Sequence, residues 1–429
     1  MQFNSPSYLV TEGCVQTLIT VNRSGSIGSV STVDYSIDNA TATQRGDFTF
    51  GRGTIVFNAN ESSKAFPVLI SEDAYAEGAE TLTLNLSNAV GATIGSPGIA
   101  TLQINDNETV DGSANPLDDA PIYVCQHYHD FLNRQSDSDG QAFWTNQITS
   151  CGSNAGCLDE KRNNVSAAFF LSVEFQQTGY FAFRFYRASF RDTAQRPLAL
   201  PRYQEFLRDT QALGRNVVVG QQNWEAFLEQ NKQGFALDWV DRAAFVAEYP
   251  TTMTRDQFID QAFARSGATP TQQELNLARG AYDSGGSLKE RRAQGLRKVC
   301  DSSSVFNAQY NPAFVLMQYF GYLRRNPNNA PDNDYSGYNF WLTKMNQFSQ
   351  PGEDVTNESV ALSRVKRAEM VKSFLVSKEY RERFQGGADR GNQQGSIAMA
   401  DPPRNLKEAI ARTLWFAFNS SLVKSFMTG

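Results

Sequence analysis

Three observations predict that this chain joins an antiparallel β-sandwich over residues 1–108 to a mostly α-helical region over 122–385. Apolar and polar residues alternate in short runs up to residue 105, whereas beyond residue 121 apolar residues recur at spacings of three and four. The polar segment between them, 109–121, contains Gly112, Pro116 and Pro121 and reads as a linker. The charge divides at the same place: residues 1–108 carry 4 Lys and Arg against 11 Asp and Glu, net −7, and the remainder is net +1.

The strands, in order, are YLV, VQTLITV, STVDYSI, GTIVF, KAFPVLI, ETLTLNL and IATLQI, separated by Gly, Asn, Asp and Ser clusters. Seven strands at that spacing suit a sandwich. Val33, Tyr35 and Ile37 share one face of their strand, and Phe66, Val68 and Ile70 share one face of theirs, so each sheet can close a core. After the linker, VSAAFFLSVEF, RYQEFLRDTQAL, DQFIDQAFARSG and PAFVLMQYFGYLRR read as helices, and all five Trp of the chain lie beyond the linker. The region echoes itself. HYHDFLNRQSDSDGQAFWTNQI, followed by AAFFLSVEFQ, is matched by MQYFGYLRRNPNNAPDNDYSGYNFWLTKM, followed by KSFLVSKEYR. In both, an aromatic helix ends in Arg, an Asp-rich turn ends in Gly, Phe-Trp opens the next helix and a Ser-x-Glu-aromatic element follows. Residues 386–429 read as a flexible linker and one terminal helix.

Composition narrows the function. The 429 residues, 41% hydrophobic, suit two or three folded domains. An acidic first quarter offers no basic face to nucleic acid and is compatible with a cation-binding module. No stretch approaches eighteen uncharged apolar residues, so no membrane span is expected. MQFNSPSYLV lacks the basic start and apolar run of a signal peptide, and Met1 falls almost inside a strand, so the chain reads as a fragment of a longer one. Five cysteines (Cys14, Cys125, Cys151, Cys157, Cys300) are too few for a disulfide scaffold; Cys151 and Cys157 flank a short loop that a bridge could close, and their spacing leaves pairing open.

The sharpest chemical signal is ISEDAYAEGAETLTLNL, residues 70–86, where Glu72, Asp73, Glu77 and Glu80 crowd nine positions. They repel one another unless something sits between them. Glu12 follows the first strand, Asp38 the third, and Asp106, Asn107 and Glu108 the last. In a sandwich, strand ends at one pole come together, and calcium takes six to eight oxygen ligands, preferring carboxylates and carbonyls.

These residues also carry a family likeness. The segments YLVTEG, ITVNRSGS, VDYSIDNATA, GDFTFGRGTIVF, VLISEDAYAEGAETLTLNLS and IATLQINDNE resemble the Calx-beta domain, an immunoglobulin-like module of sodium/calcium exchangers, integrin beta4 and large bacterial surface proteins. The resemblance implies Ca2+ ligands at Glu12, Asp38, Glu72, Asp73, the Tyr75 carbonyl, Glu77, Glu80, Asp106, Asn107 and Glu108. Asn107 stands where the best binders have Asp, and Glu replaces Asp at 72 and 108, which implies fewer ions or weaker binding.

In the helical region, DFLNRQSDSDGQAFW (130–144) and GYLRRNPNNAPDNDYSGYNFW (321–341) resemble a bacterial family called domain of unknown function 4214, which occurs in secreted and surface-layer-like proteins and carries no established chemistry. Asp137, Asp139 and Gly140 imitate part of an EF-hand loop, but Gln135 and Asn146 occupy positions where that loop needs acids, so a helix-capping turn is the better reading. Phe143, Trp144, Phe340 and Trp341 read as core. His127 and His129 in CQHYH lie two apart, which puts their rings on different sides of a helix and disfavours a shared ion. With no further histidine and no GxSxG, HExxH or phosphate loop, catalysis has no sequence support. Arg45-Gly46-Asp47 matches an ordinary turn of the domain, and its likeness to a receptor-binding tripeptide is chance. The reading is therefore a calcium-binding extracellular or cell-surface protein with a structural or adhesive role, meeting surface or matrix components, in which calcium stiffens the linker at Asn107 and Glu108 and sets the angle to the helical half. The alternative is a secreted polysaccharide-active enzyme with the sandwich as accessory module and paired acids in the helical half.

Overall fold

The computed structural model describes residues 1–112 and 114–385, so the expected terminal helix in 386–429 lies outside the described residues. Eight strands form the first part: β1 (Gln2–Phe3), β2 (Ser7–Thr11), β3 (Val15–Asn22), β4 (Ser31–Asn39), β5 (Gly51–Phe57), β6 (Ser63–Ile70), β7 (Glu80–Val90) and β8 (Ile99–Asn105). They make a three-stranded sheet ordered β1-β3-β6 and a five-stranded sheet ordered β2-β8-β7-β4-β5. Between the sheets lies a core that includes Phe3, Ile19, Val33, Phe57, Val68 and Leu84. Three details differ from the sequence expectation. β1 is an eighth strand ahead of the seven expected. The chain switches sheets at residues 4–6, so β1 pairs with β3 while β2 joins β8, and the β2–β8 pairing is parallel rather than antiparallel. That register sets Thr11 beside Asn105, so the chain leaves both strands at the same pole.

The second part is helical and has its own core, which also takes in Phe50 from the segment before β5. No described helix is long and apolar enough to cross a membrane. The internal echo is built twice with the same contacts. Asn133 (φ 54°) and Arg324 (φ 49°), equivalent in the two copies, lie in the left-handed region, Asn133 directly after the turn Tyr128–Leu132 and Arg324 three residues beyond the helix that ends at Gly321. The arginine that follows pairs with the Ser-x-Glu glutamate: Arg134 Nε lies 2.7 Å from Glu174, and Arg325 Nε 2.6 Å from Glu379. Each also reaches an Asp of the following turn, Asp137 at 3.2 Å and Asp332 at 2.8 Å. Ser172 and Ser377 cap their helices by accepting from Phe175 N and Tyr380 N. Asp137 is likewise a cap, accepting from Gly140 N at 2.8 Å, in line with the capping reading of that turn. Trp144 and Trp341 pack inward, but Phe143 and Phe340 are 47% and 48% exposed, contrary to the expectation that both residues of each pair are core. A helix opening with Phe-Trp can turn only one of two adjacent side chains to its neighbours.

The two parts are locked together. Cys14, just after β2, forms a disulfide with Cys125 in the helix Ala120–His127, and a second disulfide joins Cys151 to Cys157. Buried Asp130 holds Arg324 at 3.0 Å and Arg383 at 3.2 Å. Both arginines extend into the sandwich: Arg324 donates to the Phe48 carbonyl and Thr49 hydroxyl, each at 2.9 Å, and Arg383 to the Arg45 carbonyl at 2.9 Å. These ties leave no free hinge, so the expected calcium-dependent angle between the parts does not fit this architecture.

Candidate metal centre

One pole of the sandwich gathers four loops because of strand register. Glu12 N donates to the Asn105 carbonyl at 2.8 Å, which brings the residue after β2 beside the residues after β8. Glu80 begins β7 opposite Ile104, near the end of β8, and Ile70 ends β6 opposite Val15. Ser71 N donates to the Asp47 carbonyl at 2.8 Å, which adds the loop before β5. Carboxylates separated by up to 96 positions therefore share a few ångströms of space.

They form two groups. Oxygens of Glu12, Asp106 and Glu108 lie within 4.8 Å of one another, and so do those of Asp47, Glu77 and Glu80. Backbone amides fix the orientation of several members. Asp106 Oδ2 accepts from Glu77 N at 2.6 Å and Gly78 N at 2.7 Å, while its Oδ1 accepts from Glu108 N at 2.7 Å. Gly78 sits at φ 76°, a left-handed conformation that a side chain would strain, and so lets two successive amides face one carboxylate. Asp73 is fully buried; its own N–H donates to Glu12 at 3.1 Å and its carboxylate accepts from Tyr75 N at 2.9 Å. Asn107 places its side-chain amide between the carboxylates of Glu72 and Glu108, a neutral group where another acid would add charge.

The electrostatics follow from crowding. Burial first, then repulsion from Asp73 and Glu72, pushes Glu12 up to about 9. Burial followed by Asp47 pushes Glu80 up to about 8, and burial followed by Glu72 brings Glu108 to about 7. Glu72 is also raised, by burial and Asp106, with Asn107 opposing. The donor set is entirely carboxylate oxygen with no nitrogen or sulfur, which fits a hard divalent cation, and the protonation that the crowding forces is what such a cation would displace.

Nine of the sequence-predicted residues lie in these loops, but Asp38 does not. Ile37 faces the core, so the next residue of an alternating strand faces outward. There Asp38 accepts from Ser36 at 2.5 Å, Asn85 at 2.9 Å and Arg52 at 3.2 Å. Burial opposes its ionisation, but these bonds outweigh it and lower its pKa. The acid that takes its place is Asp47, 4% exposed, whose carboxylate accepts from Thr43 N at 2.6 Å. Its signal in the sequence is an acid next to Phe48, a core residue, inside the quoted GDFTF segment. Tyr75 is buried, and its hydroxyl donates to the Glu382 carbonyl at 2.6 Å, so it anchors the acidic loop to the helical part.

The family model described as the Calx-beta domain matches residues 1–108. Residues 1–108 are a Calx-beta domain. Sodium/calcium exchanger 3 of Rattus norvegicus is 36% identical over 87 residues, which are 20% of this chain and 9% of the exchanger. Sodium/calcium exchanger 1 of Mus musculus is 27% identical over 125 residues, covering 25% of this chain and 13% of the exchanger. The chain thus spans only about a tenth of the length of these relatives. Among solved structures, the apo-form Calx CBD1 domain is similar at 28% identity, covering 25% of this chain and 96% of that one, with a TM-score of 0.25. Within the Calx-beta domain, the pole carrying the two carboxylate groups is the end at which β2 and β8 both finish.

Proposed function

We propose that the Calx-beta domain binds calcium at this pole, through Glu12, Asp106 and Glu108 in one group and Asp47, Glu77 and Glu80 in the other, with Glu72 and Asp73 between. The observation that carries this reading is the convergence of carboxylates from four loops with three of them pushed to about 7, 8 and 9. Calcium is also the ion named in the exchangers that share the domain. Asn107 and the long Glu side chains at 72 and 108 point to affinity near the roughly millimolar end of calcium modules. The ion would tie the four loops together within the pole, since the link to the helical half is already covalent at Cys14–Cys125.

The role we propose for the whole chain is structural or adhesive, outside the cytoplasm, toward cell-surface or matrix components. Two disulfides support an oxidising compartment. We also propose that the helical half is a domain-of-unknown-function-4214-like unit, supported by the repeated Arg-Glu-Asp contacts. The cavity bounded by Arg187, Arg191 and Arg265 is lined by arginines rather than by facing carboxylates, and so lends no support to the polysaccharide-active alternative. Calorimetric titration with calcium tests the binding reading. Wild type is expected to bind saturably and Asp106→Ala to lose binding at least about tenfold; equal heats from both would sink it.

A further inference from the structure

The helix Gly179–Ser189, the segment 190–200 and the helices Ser303–Gly321 and Ser336–Gln347 border a cavity of about 430 Å³, far in sequence from the carboxylate pole. Its wall carries Arg187, Arg191 and Arg265 against one acid, Asp192. Two of the arginines share one counter-ion: Arg265 and Arg191 both pair with Glu248, at 2.8 and 3.3 Å. Arg187 has no such ion pair. Its Nε donates to Gln309 at 2.8 Å and its Nη1 to the Leu198 carbonyl, both neutral acceptors, and no carboxylate among the described residues pairs with it. Asp192 is exposed and spends an oxygen on Leu198 N at 2.8 Å.

A half-buried guanidinium with no carboxylate in direct contact is costly: burial lowers the Arg187 pKa, and Tyr338 and Asp192 oppose this only through space. The same arginine holds a wall in an unusual conformation: Leu198 and Ala199 sit at φ 57° and 53°, a region that side chains other than Gly rarely adopt, and such strain gathers at ligand clamps. The remaining wall is largely apolar, with Leu198, Tyr338 and Leu342, and carries one polar amide, Asn339. A volume of this size, mostly apolar with a guanidinium that lacks a direct ion pair, is the composition of a small-molecule site.

We propose that this cavity binds a small organic carboxylate, its charge on the Arg187 guanidinium and its apolar body against Leu198, Tyr338 and Leu342. The planar guanidinium matches the carboxylate fork, and the bound anion supplies a counter-charge in direct contact.

The test uses the full chain and three probes, followed by titration calorimetry. Sodium benzoate is expected to bind saturably, whereas benzamide, its neutral isostere, and inorganic phosphate, charged but without an apolar body, bind at least about tenfold more weakly. Arg187→Gln should weaken benzoate by a similar factor. Because Arg187 also supports the wall, Leu342→Trp, which fills the cavity from a half-buried position, serves as a second variant and should abolish benzoate binding with an unchanged circular dichroism spectrum. The proposal is overturned if benzamide or phosphate binds as tightly as benzoate, if folded Leu342→Trp binds benzoate as wild type does, or if wild type gives no saturable heat up to about 20 mM benzoate. Where a variant loses its helical spectrum, the contrast between benzoate and benzamide on the wild type decides.

Discussion

At the scale of single residues, the instructive pair is Asp38 and Asp47. Both are acids near strand ends, and neither proximity to a strand end nor the family resemblance that pointed to Asp38 says which way a side chain faces. What separates them is the side of the pleat. Asp38 follows inward-facing Ile37 and therefore faces out toward Arg52, whereas Asp47 precedes inward-facing Phe48 across a turn and is buried at the pole. Asp38→Asn is thus expected to leave calcium affinity within about twofold of wild type, and Asp47→Asn to lower it at least about tenfold, both read by calorimetry. The crowded glutamates predict a pH profile as well. Glu12, Glu80 and Glu108 titrate near 9, 8 and 7 when folded, against about 4.3 in an unfolded chain. The folded state then holds more protons than the unfolded one across that interval, so their stabilisation is complete below the unfolded value and lost as pH rises through the folded values. Without calcium the melting temperature should fall from pH 5 to pH 9, and Glu12→Gln, neutral throughout, should flatten the decline; a wild-type curve that stays level would contradict the assigned crowding. Saturating calcium, by replacing the protons, should remove most of the slope.

At the scale of elements, strands and the repeat were legible because both are periodic. Alternation with period two places Val33, Ile37, Phe66 and Val68 inward regardless of partner. What period could not give was pairing: the parallel β2–β8 contact depends on a three-residue sheet switch at 4–6 that has no hydrophobic signature. In the helical half, recurrence of Arg, Asp-rich turn and Ser-x-Glu exposed the repeat, and the contacts explain why those residue types recur. One arginine closes three chain segments at once, and it also lies over a tyrosine six positions earlier, Tyr128 in one copy and Tyr319 in the other. Glu379, 7% exposed, bonds Arg325 through both oxygens. Removing one partner of a buried pair leaves the other charge stranded, so Glu379→Gln is expected to cost about 3–5 kcal/mol in denaturant unfolding, and Glu174→Gln a comparable amount. A change below about 0.5 kcal/mol in both would show that the pairs are decorative.

At the scale of the whole molecule, the interface was not legible. Its bonds come from Arg324, Arg383 and Cys125, residues whose partners Phe48, Arg45 and Cys14 lie more than 100 positions away. A disulfide's connectivity cannot be read from spacing alone when the two cysteines are so far apart. Cys14–Cys125 closes a loop of 111 residues and Cys151–Cys157 one of 6. Chain-entropy reasoning gives the long one about twice the stabilisation of the short one, within a range of about 2–5 kcal/mol. The double variant Cys14→Ser/Cys125→Ser should therefore lose more stability than Cys151→Ser/Cys157→Ser. It should also weaken calcium binding, because Cys14 stands two residues from Glu12. Equal stability losses in the two variants would indicate that the long bridge adds little to contacts already made.

The equivalence of Asn133 and Arg324 bears on how such chains recombine. Duplication supplies two copies of a helix end, one of which keeps a short residue that tolerates left-handed backbone, Asn133, bonded to Thr210 within its own half. The other carries Arg324, whose guanidinium finds its acceptors at Gln44, Phe48 and Thr49 of the neighbouring domain. The first copy is held to that domain by other means, the Cys14–Cys125 disulfide and the Gln135 amide, which donates to the Cys14 carbonyl at 3.1 Å. The second is a plug matched to one socket: transplanted beside a different domain, it would bring a buried cation with no carbonyls to meet it.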